Sequence, residues 1–382
     1  MTESSVINSN THRAQALQIW FRSLFPKLSP ASRADDFTFS LVQGDASFRR
    51  YFRAQNKNES YILVDAPPEK EDSHPFVSIA TAFSKAGVKV PRVYEVDYKQ
   101  GFMCLTDFGD TLLWEKLKQS KLSDPEGSDA TFYYQLCFAE LLKIQRVATE
   151  NLPVFSAELL RKEMHLFQQW FCEGILDLNL SSEEQAMFER SFDALIEIAQ
   201  SQFQLCVHRD FHSRNLLVVH DFSGNTASNS EAAPLIGVID FQDAVKGPYT
   251  YDLVSLLKDC YIAWPRNQVN AWALQYRELM QQKITIDVDP GDFLREFDLM
   301  GAQRHLKAVG IFSRLFLRDH KITYLADIPR TLAYLYGVAT EYNELKDFSV
   351  WLDKNVMQDV ESKILSVVNR KDNRKDNRED AR

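Results

Sequence analysis

Residues 206–219 read CVHRDFHSRNLLVV. Between apolar flanks, positions 208–215 carry His208, Arg209, Asp210, His212, Arg214 and Asn215. A loop that serves packing alone has little use for that much polarity, because every buried polar group needs a partner. Asp210 and Asn215 stand five apart, in a loop between a helical segment and an apolar strand. A further acid, Asp240, ends the apolar strand LIGVI (235–239) and begins DFQD.

Phosphoryl transfer from ATP needs such a set of oxygens. One carboxylate accepts or orients the proton of the acceptor hydroxyl, while an amide oxygen and another carboxylate hold Mg2+. Magnesium takes a few hard oxygen ligands and keeps water for the rest. Asn215 and Asp240 supply two such oxygens, which leaves Asp210 as the base. The order agrees with the kinase pattern, in which H-R-D-x-x-x-x-N precedes D-F-G. His208 to Asn215 match the first part letter for letter, and Gln242 stands where the second has glycine. Asp107-Phe108-Gly109 also spells D-F-G, but it precedes the H-R-D loop and follows a strand. It reads as a hinge between lobes, where the backbone around Leu105 and Asp107 would meet adenine. His208 reads as a packed, hydrogen-bonded organiser of the loop. His208 and His212, four apart, would suit zinc only on a helix, and a strand follows immediately.

At the other end of the chain, QGDASFRRYFRA (43–54) reads as a hairpin that covers phosphates. Gly44 permits a tight turn. The backbone N–H groups up to Phe48 and the Ser47 hydroxyl are candidates to touch phosphate oxygens. On the returning strand Arg49, Tyr51 and Arg53 share one face, and Phe48, Arg50 and Phe52 the other. An ordinary hairpin would look similar, so the downstream motif carries the reading.

The rest of the chain supplies two lobes. Residues 12–25 show helical spacing through Leu17, Trp20, Phe21 and Leu24. Five short segments rich in β-branched and aromatic residues follow between 37 and 108, interrupted by one helix that Gly87 would end. After Gly109 the spacing turns helical, with a capping box at Ser181 and Glu184. DFSGNTASNSEAAP (221–234) reads as a mobile loop. The prediction is an α+β, protein-kinase-like bilobal fold. Residues 1–108 would form a small β-rich lobe and 109–368 a larger helical lobe with the catalytic loop. The charged tail 369–382 has no apolar residue beyond its alanine and is expected to be disordered.

Composition excludes several classes. The 382 residues carry a net charge of −9, which argues against general binding to nucleic acid or an anionic membrane. No apolar run approaches the ~18 residues of a membrane span. Five scattered cysteines without a C-x-x-C pair suit a reducing cytoplasm. The expected partner is a small molecule bound by a monomer.

On these motifs the chain resembles the aminoglycoside phosphotransferase-like kinases over roughly residues 20–345. Within that group GDASFRRYFR, ILVDAPPEKED, the H-R-D loop and GVIDFQDAVKGPYTYDLVSLLKDCYIAWP resemble bacterial cell-wall sugar kinases. The resemblance implies transfer to the anomeric oxygen of N-acetylmuramate or N-acetylglucosamine in peptidoglycan recycling. It implies Asp210 as base, Asn215 and Asp240 as magnesium ligands, and Asp252 as a brace for the catalytic loop.

One departure stands out. Protein kinases pair a strand lysine with a helix glutamate to hold the phosphates. Here the strand reads Tyr61-Ile62-Leu63-Val64-Asp65, and the helix PFVSIATAFSKAG (75–87) has no acid. Phosphate binding then falls to the hairpin backbone, magnesium and either Arg49 or Arg50. Candidate sugar contacts are Arg214, Gln242, Asp243 and Trp170, although Trp170 reads more readily as helix core. A polycationic aminoglycoside is an alternative acceptor, with Glu163, Glu173 and Asp177 as its acids. A nucleotide-binding pseudokinase scaffold without catalysis is another.

Overall fold

The computed structural model describes residues 3–28, 36–42, 48–125, 127–220 and 233–368. Gly44, Ser47, the tail 369–382 and the loop over 221–232 lie outside them. The chain divides into two compact units. The first comprises Met1–Leu112 with Asn215–Asp243, the second Leu113–Arg214 with Ala244–Arg382.

The first unit is built on helix α1 (Glu3–Leu28) and strands β1 (Thr38–Val42), β2 (Arg50–Gln55), β3 (Ser60–Asp65), β4 (Val93–Asp97) and β5 (Phe102–Thr106). They form one antiparallel sheet in the order β1-β2-β3-β5-β4. Alternation sorts the side chains. Ala54, Tyr61, Leu63, Phe102 and Cys104 join Leu17 and Phe21 of α1 in one apolar cluster, with Phe52 packed against it. Phe21 lies 5.5 Å from Phe37 and 5.7 Å from Tyr61, ring to ring. The helix is longer than residues 12–25 because a polar N-terminal extension needs no buried face to propagate from a formed nucleus.

Helix α2 (His74–Lys85) buries Phe76, Ile79, Ala80 and Phe83, and Gly87, at φ +80°, follows its end as expected. A second hairpin belongs to this unit rather than to the helical one. Its strands are β7 (Leu216–His220) and β8 (Pro234–Val238), which pair antiparallel. Val218 N–H donates to Thr111 O and Val238 N–H to Lys89 O, both at 2.8 Å. Phe241, just beyond β8, packs on Phe76 and Phe83 at 4.8 and 5.8 Å. A single cut after residue 108 separates this hairpin from the segments that hold it.

The second unit contains α3 (Leu113–Ser123), α4 (Ser128–Gln145), α5 (Ala157–Leu166), α6 (Ser182–Ser201), α7 (Tyr251–Leu257), α8 (Arg266–Ile284), α9 (Pro290–Asp319), α10 (Ile328–Glu341) and α11 (Lys346–Leu352). Strands β6 (Gln204–Val207) and β9 (Val245–Pro248) pair antiparallel. The 30-residue α9 is buried along most of its length. At Gly310 a Cβ would lie 2.4 Å from the Leu166 carbonyl carbon, so the two helices approach backbone to backbone. Beyond Leu166 the helix widens to π geometry over Phe167–Ile175, a form common near functional sites. The Ser181–Glu184 capping box forms in both directions. Among the described residues, no helix is long and apolar enough to cross a membrane.

Candidate active site

In the second unit, the loop 208–213 is clamped by carboxylates on backbone N–H groups. Asp252, in the first turn of α7, accepts from His208 N–H at 2.6 Å and Arg209 N–H at 3.0 Å. Asp259 accepts from Ser213 N–H at 3.0 Å and Tyr261 N–H at 2.9 Å. Trp114 N–H donates to Ser213 O. His208 is fully buried, and its Nδ1 accepts from Asp210 N–H at 3.3 Å. Arg209 adopts φ +77°, a left-handed conformation that a non-glycine residue holds only when its surroundings over-determine it. Its guanidinium pairs with the buried Glu163.

Asp210 is half-buried at the centre of this loop. Burial alone would raise its pKa. The charges of Lys307, His212, Arg304 and His208 outweigh burial and hold it at about 2, so the carboxylate is ionised. Burial pushes Asp252 the other way, to about 7, against the two N–H groups that favour its anion. Lys307 and Arg304 come from α9 and were not read from the sequence. The polar run Gln303-Arg304-His305 with Lys307, set between the apolar stretches Leu299–Ala302 and Ala308–Phe312, was the available signal.

The first unit carries the candidate metal ligands. Asp240 adopts φ +63°, and Ile239 N–H donates to Asn215 O at 3.1 Å. Asn215 Nδ2 lies 3.4 Å from Asp240 Oδ2, and Gln242 Nε2 donates to Asp240 Oδ1 at 2.9 Å. One amide and one carboxylate brought together are a set that suits Mg2+ once phosphate and water oxygens complete it. Among the described residues no three His, Cys, Asp or Glu gather as a self-sufficient metal cage.

The two arginines of the hairpin part company. Arg50 Nε donates to Asp65 Oδ2 at 3.0 Å, and Arg13 Nε donates to Asp65 Oδ1 at 2.9 Å. Asp65 is fully buried between them. Arg49 faces the opposite way. It meets Glu71 at 3.2 Å, hydrogen-bonds Tyr51 and lies 6.0 Å from the Phe76 ring. Burial raises the Tyr51 phenol, Arg49 lowers it and the Asp240 charge raises it again. Register puts Val64 opposite Tyr51 on that face. Phe48 is exposed.

Leu105 is buried on β5, paired with Ile62 and Val93. The Asp107 carboxylate accepts from Arg53, from Ser60 and from Gly109 N–H. Arg53 also binds Asp110. Of the sugar candidates, Arg214 stacks 3.7 Å from the Tyr261 ring centroid and 5.3 Å from Trp114, in the second unit. Gln242 is spent on Asp240 in the first, Asp243 is exposed, and Trp170 is half-buried on the π segment. Glu163, considered for a cationic acceptor, is buried and bound by Arg209 and Lys307, while Glu173 and Asp177 are exposed.

Over 344 residues the chain is 36% identical to a Pseudomonas aeruginosa protein named N-acetylmuramate/N-acetylglucosamine kinase, covering 89% of this chain and 96% of that one. A Neisseria meningitidis protein of the same name is 34% identical over 333 residues, covering 86% and 92%. The solved structure of a Plasmodium vivax ethanolamine kinase is similar with a TM-score of 0.55 at 13% identity, over 83% of this chain and 88% of that one, a likeness of fold. The model of the phosphotransferase enzyme family matches residues 38–283, and the chain belongs to that family.

Proposed function

We propose that this chain is an ATP-dependent sugar kinase that phosphorylates the anomeric hydroxyl of N-acetylmuramate and N-acetylglucosamine, a step in cell-wall recycling. The observation that carries the reading is the match to relatives of that name across 89% of the chain. The ionised Asp210 and the Asn215–Asp240 pair support it chemically.

The anomeric hydroxyl is more acidic than an ordinary alcohol, so it asks little of its base. A carboxylate near pKa 2 is a weak base, well suited to orient that hydroxyl through a loose transition state and to take its proton late. The sugar oxygen forms a bond to the γ-phosphorus as the bond to the bridging oxygen breaks, and ADP leaves with the electron pair. Asn215 and Asp240 would hold Mg2+, which neutralises charge on the phosphates when bound. Arg49, braced by Glu71, would take the phosphate-holding role of the absent lysine. Arg50 is committed to Asp65 and is withdrawn from that role.

A polycationic acceptor loses one of its three candidate acids, because Glu163 is already neutralised by two cations. The five cysteines, free and buried, support a reducing compartment such as the cytoplasm. The test is a magnesium-ATP assay against both amino sugars and an aminoglycoside panel, with phosphorus NMR locating the product phosphate. Phosphate on the anomeric oxygen is expected, and Asp210→Ala should lower turnover by a factor of about 10³ or more. Phosphorylation of aminoglycosides alone would overturn the reading.

A further inference from the structure

The α9 cations beside Asp210 are not equivalent. Lys307 has its charge answered at 3.1 Å by Glu163, and it donates to the Tyr251 hydroxyl. Arg209 likewise pairs with Glu163. Arg304 is different. It keeps only 6% of its surface, and its Nη1 donates to the thiol of Cys260 at 3.5 Å. Among the described residues it forms no ion pair with a carboxylate, although Asp210 and Asp259 are both near enough to act on its charge. Asp259 accepts on both of its oxygens from backbone, at Oδ2 from Ser213 N–H and at Oδ1 from Tyr261 N–H. Arginine remains charged whatever its surroundings, and here the charges of Asp210 and Asp259 act on it without a carboxylate in direct contact, so its planar N–H fork keeps donors that no protein carboxylate fills. Those charges favour the cation despite its burial, and a carboxylate brought to the fork would add the direct hydrogen bonds that the protein does not supply.

The two proposed acceptors differ at one group of matching chemistry. N-acetylmuramate carries a lactyl ether with a carboxylate, and N-acetylglucosamine has a hydroxyl there. We propose that Arg304 is the specificity residue that receives the carboxylate of the acid sugar, next to the base that receives its anomeric hydroxyl. This rests on the amino-sugar reading above. A guanidinium–carboxylate pair is bidentate, so it fixes the orientation of the sugar as well as adding affinity. The neutral sugar would be accepted without this contact, with water completing the arginine.

The experiment measures kcat and KM of the full chain with saturating magnesium-ATP for both sugars, and for N-acetylmuramate methyl ester, whose lactyl carboxylate is neutral. Variants are Arg304→Met and Arg304→Lys. For wild type, esterification should raise KM about 10–100-fold. Arg304→Met should raise KM for N-acetylmuramate by a similar factor, at least about tenfold more than for N-acetylglucosamine, and the ester should lose little further. Arg304→Lys should recover part of the loss. Equal losses on both sugars, residing in kcat, would mean that Arg304 serves Asp210 or the loop, and would overturn the inference. If Arg304→Met does not fold, an ester used as well as the acid by wild type would overturn it equally. A wild-type chain that phosphorylates neither sugar would instead overturn the underlying function.

Discussion

Arg49 and Glu71 form an ion pair at 3.2 Å on the sheet face that also carries Tyr51, with the guanidinium almost wholly shielded from solvent. The neighbouring arginine, one residue on, is turned by strand alternation onto the α1 face and bound to Asp65. The two should therefore fail differently when replaced. Arg49→Met should raise the KM for ATP about 10–100-fold with a modest change in melting temperature. Glu71→Gln should do the same more weakly. Arg50→Met should leave Asp65 with Arg13 alone and cost about 1–3 kcal/mol of stability, since removal of one partner exposes the buried charge. Urea melts and ATP kinetics on the three variants check this. An Arg50 variant with the larger ATP defect would reverse the assignment.

Asp252 sets a pH dependence that Asp210 cannot. Asp210, near 2, stays ionised through any working range. Asp252, near 7, takes up a proton in the folded chain at pH values where the unfolded chain, with its ordinary pKa near 4, does not. A folded pKa above the unfolded one means that this group's contribution to stability is greatest below about pH 4 and is lost as pH rises through about 7. The slope is at most about 1.4 kcal/mol per pH unit. Activity should move oppositely. Both Asp252 oxygens accept N–H bonds, and protonation spoils one of them, loosening the loop that holds Asp210. An acidic limb near pH 7 in kcat/KM is expected, and Asp252→Asn should be impaired at every pH without that limb. A flat profile from pH 5 to 8 would show that the two N–H bonds keep Asp252 ionised throughout.

Much of this architecture was legible because it rests on local pattern. Short segments rich in β-branched and aromatic residues pointed to the five strands, and each of those strands sends a side chain into the apolar cluster that α1 joins. The H-R-D-x-x-x-x-N spacing gave the loop, because its chemistry requires those residue types in that order. What stayed hidden depends on partners remote in sequence. Strands β6 and β9 are four residues each, pair with one another, and on the β9 side bridge Lys246 to Val154. Asp65 meets Arg13 across 52 positions, and Asp107 meets Arg53 across 54. The cations of α9 gain meaning only when Asp210 is folded beside them. The two units also interleave in sequence at Asn215–Asp243, which a reading along the chain in one pass does not see.

Asp107 and Asp240 both stand before phenylalanine, and their surroundings separate their roles. Asp107 is almost fully buried and accepts from Arg53, Ser60 and the Gly109 N–H, so its lone pairs are occupied by protein donors. Asp240 is positioned by a left-handed backbone next to Asn215, with amide groups that a divalent ion can displace or reorient. Asp240→Asn should therefore lower turnover about 10²-fold or more and raise the Mg2+ concentration needed for half-maximal rate. Asp107→Asn should cost about 1–3 kcal/mol of stability by leaving Arg53 with the exposed Asp110 alone, while the magnesium dependence keeps its midpoint. Rates titrated with Mg2+ at fixed ATP, beside thermal melts, read both effects. A shifted magnesium midpoint in Asp107→Asn with an unshifted one in Asp240→Asn would exchange the two roles and with them the direction of the whole nucleotide site.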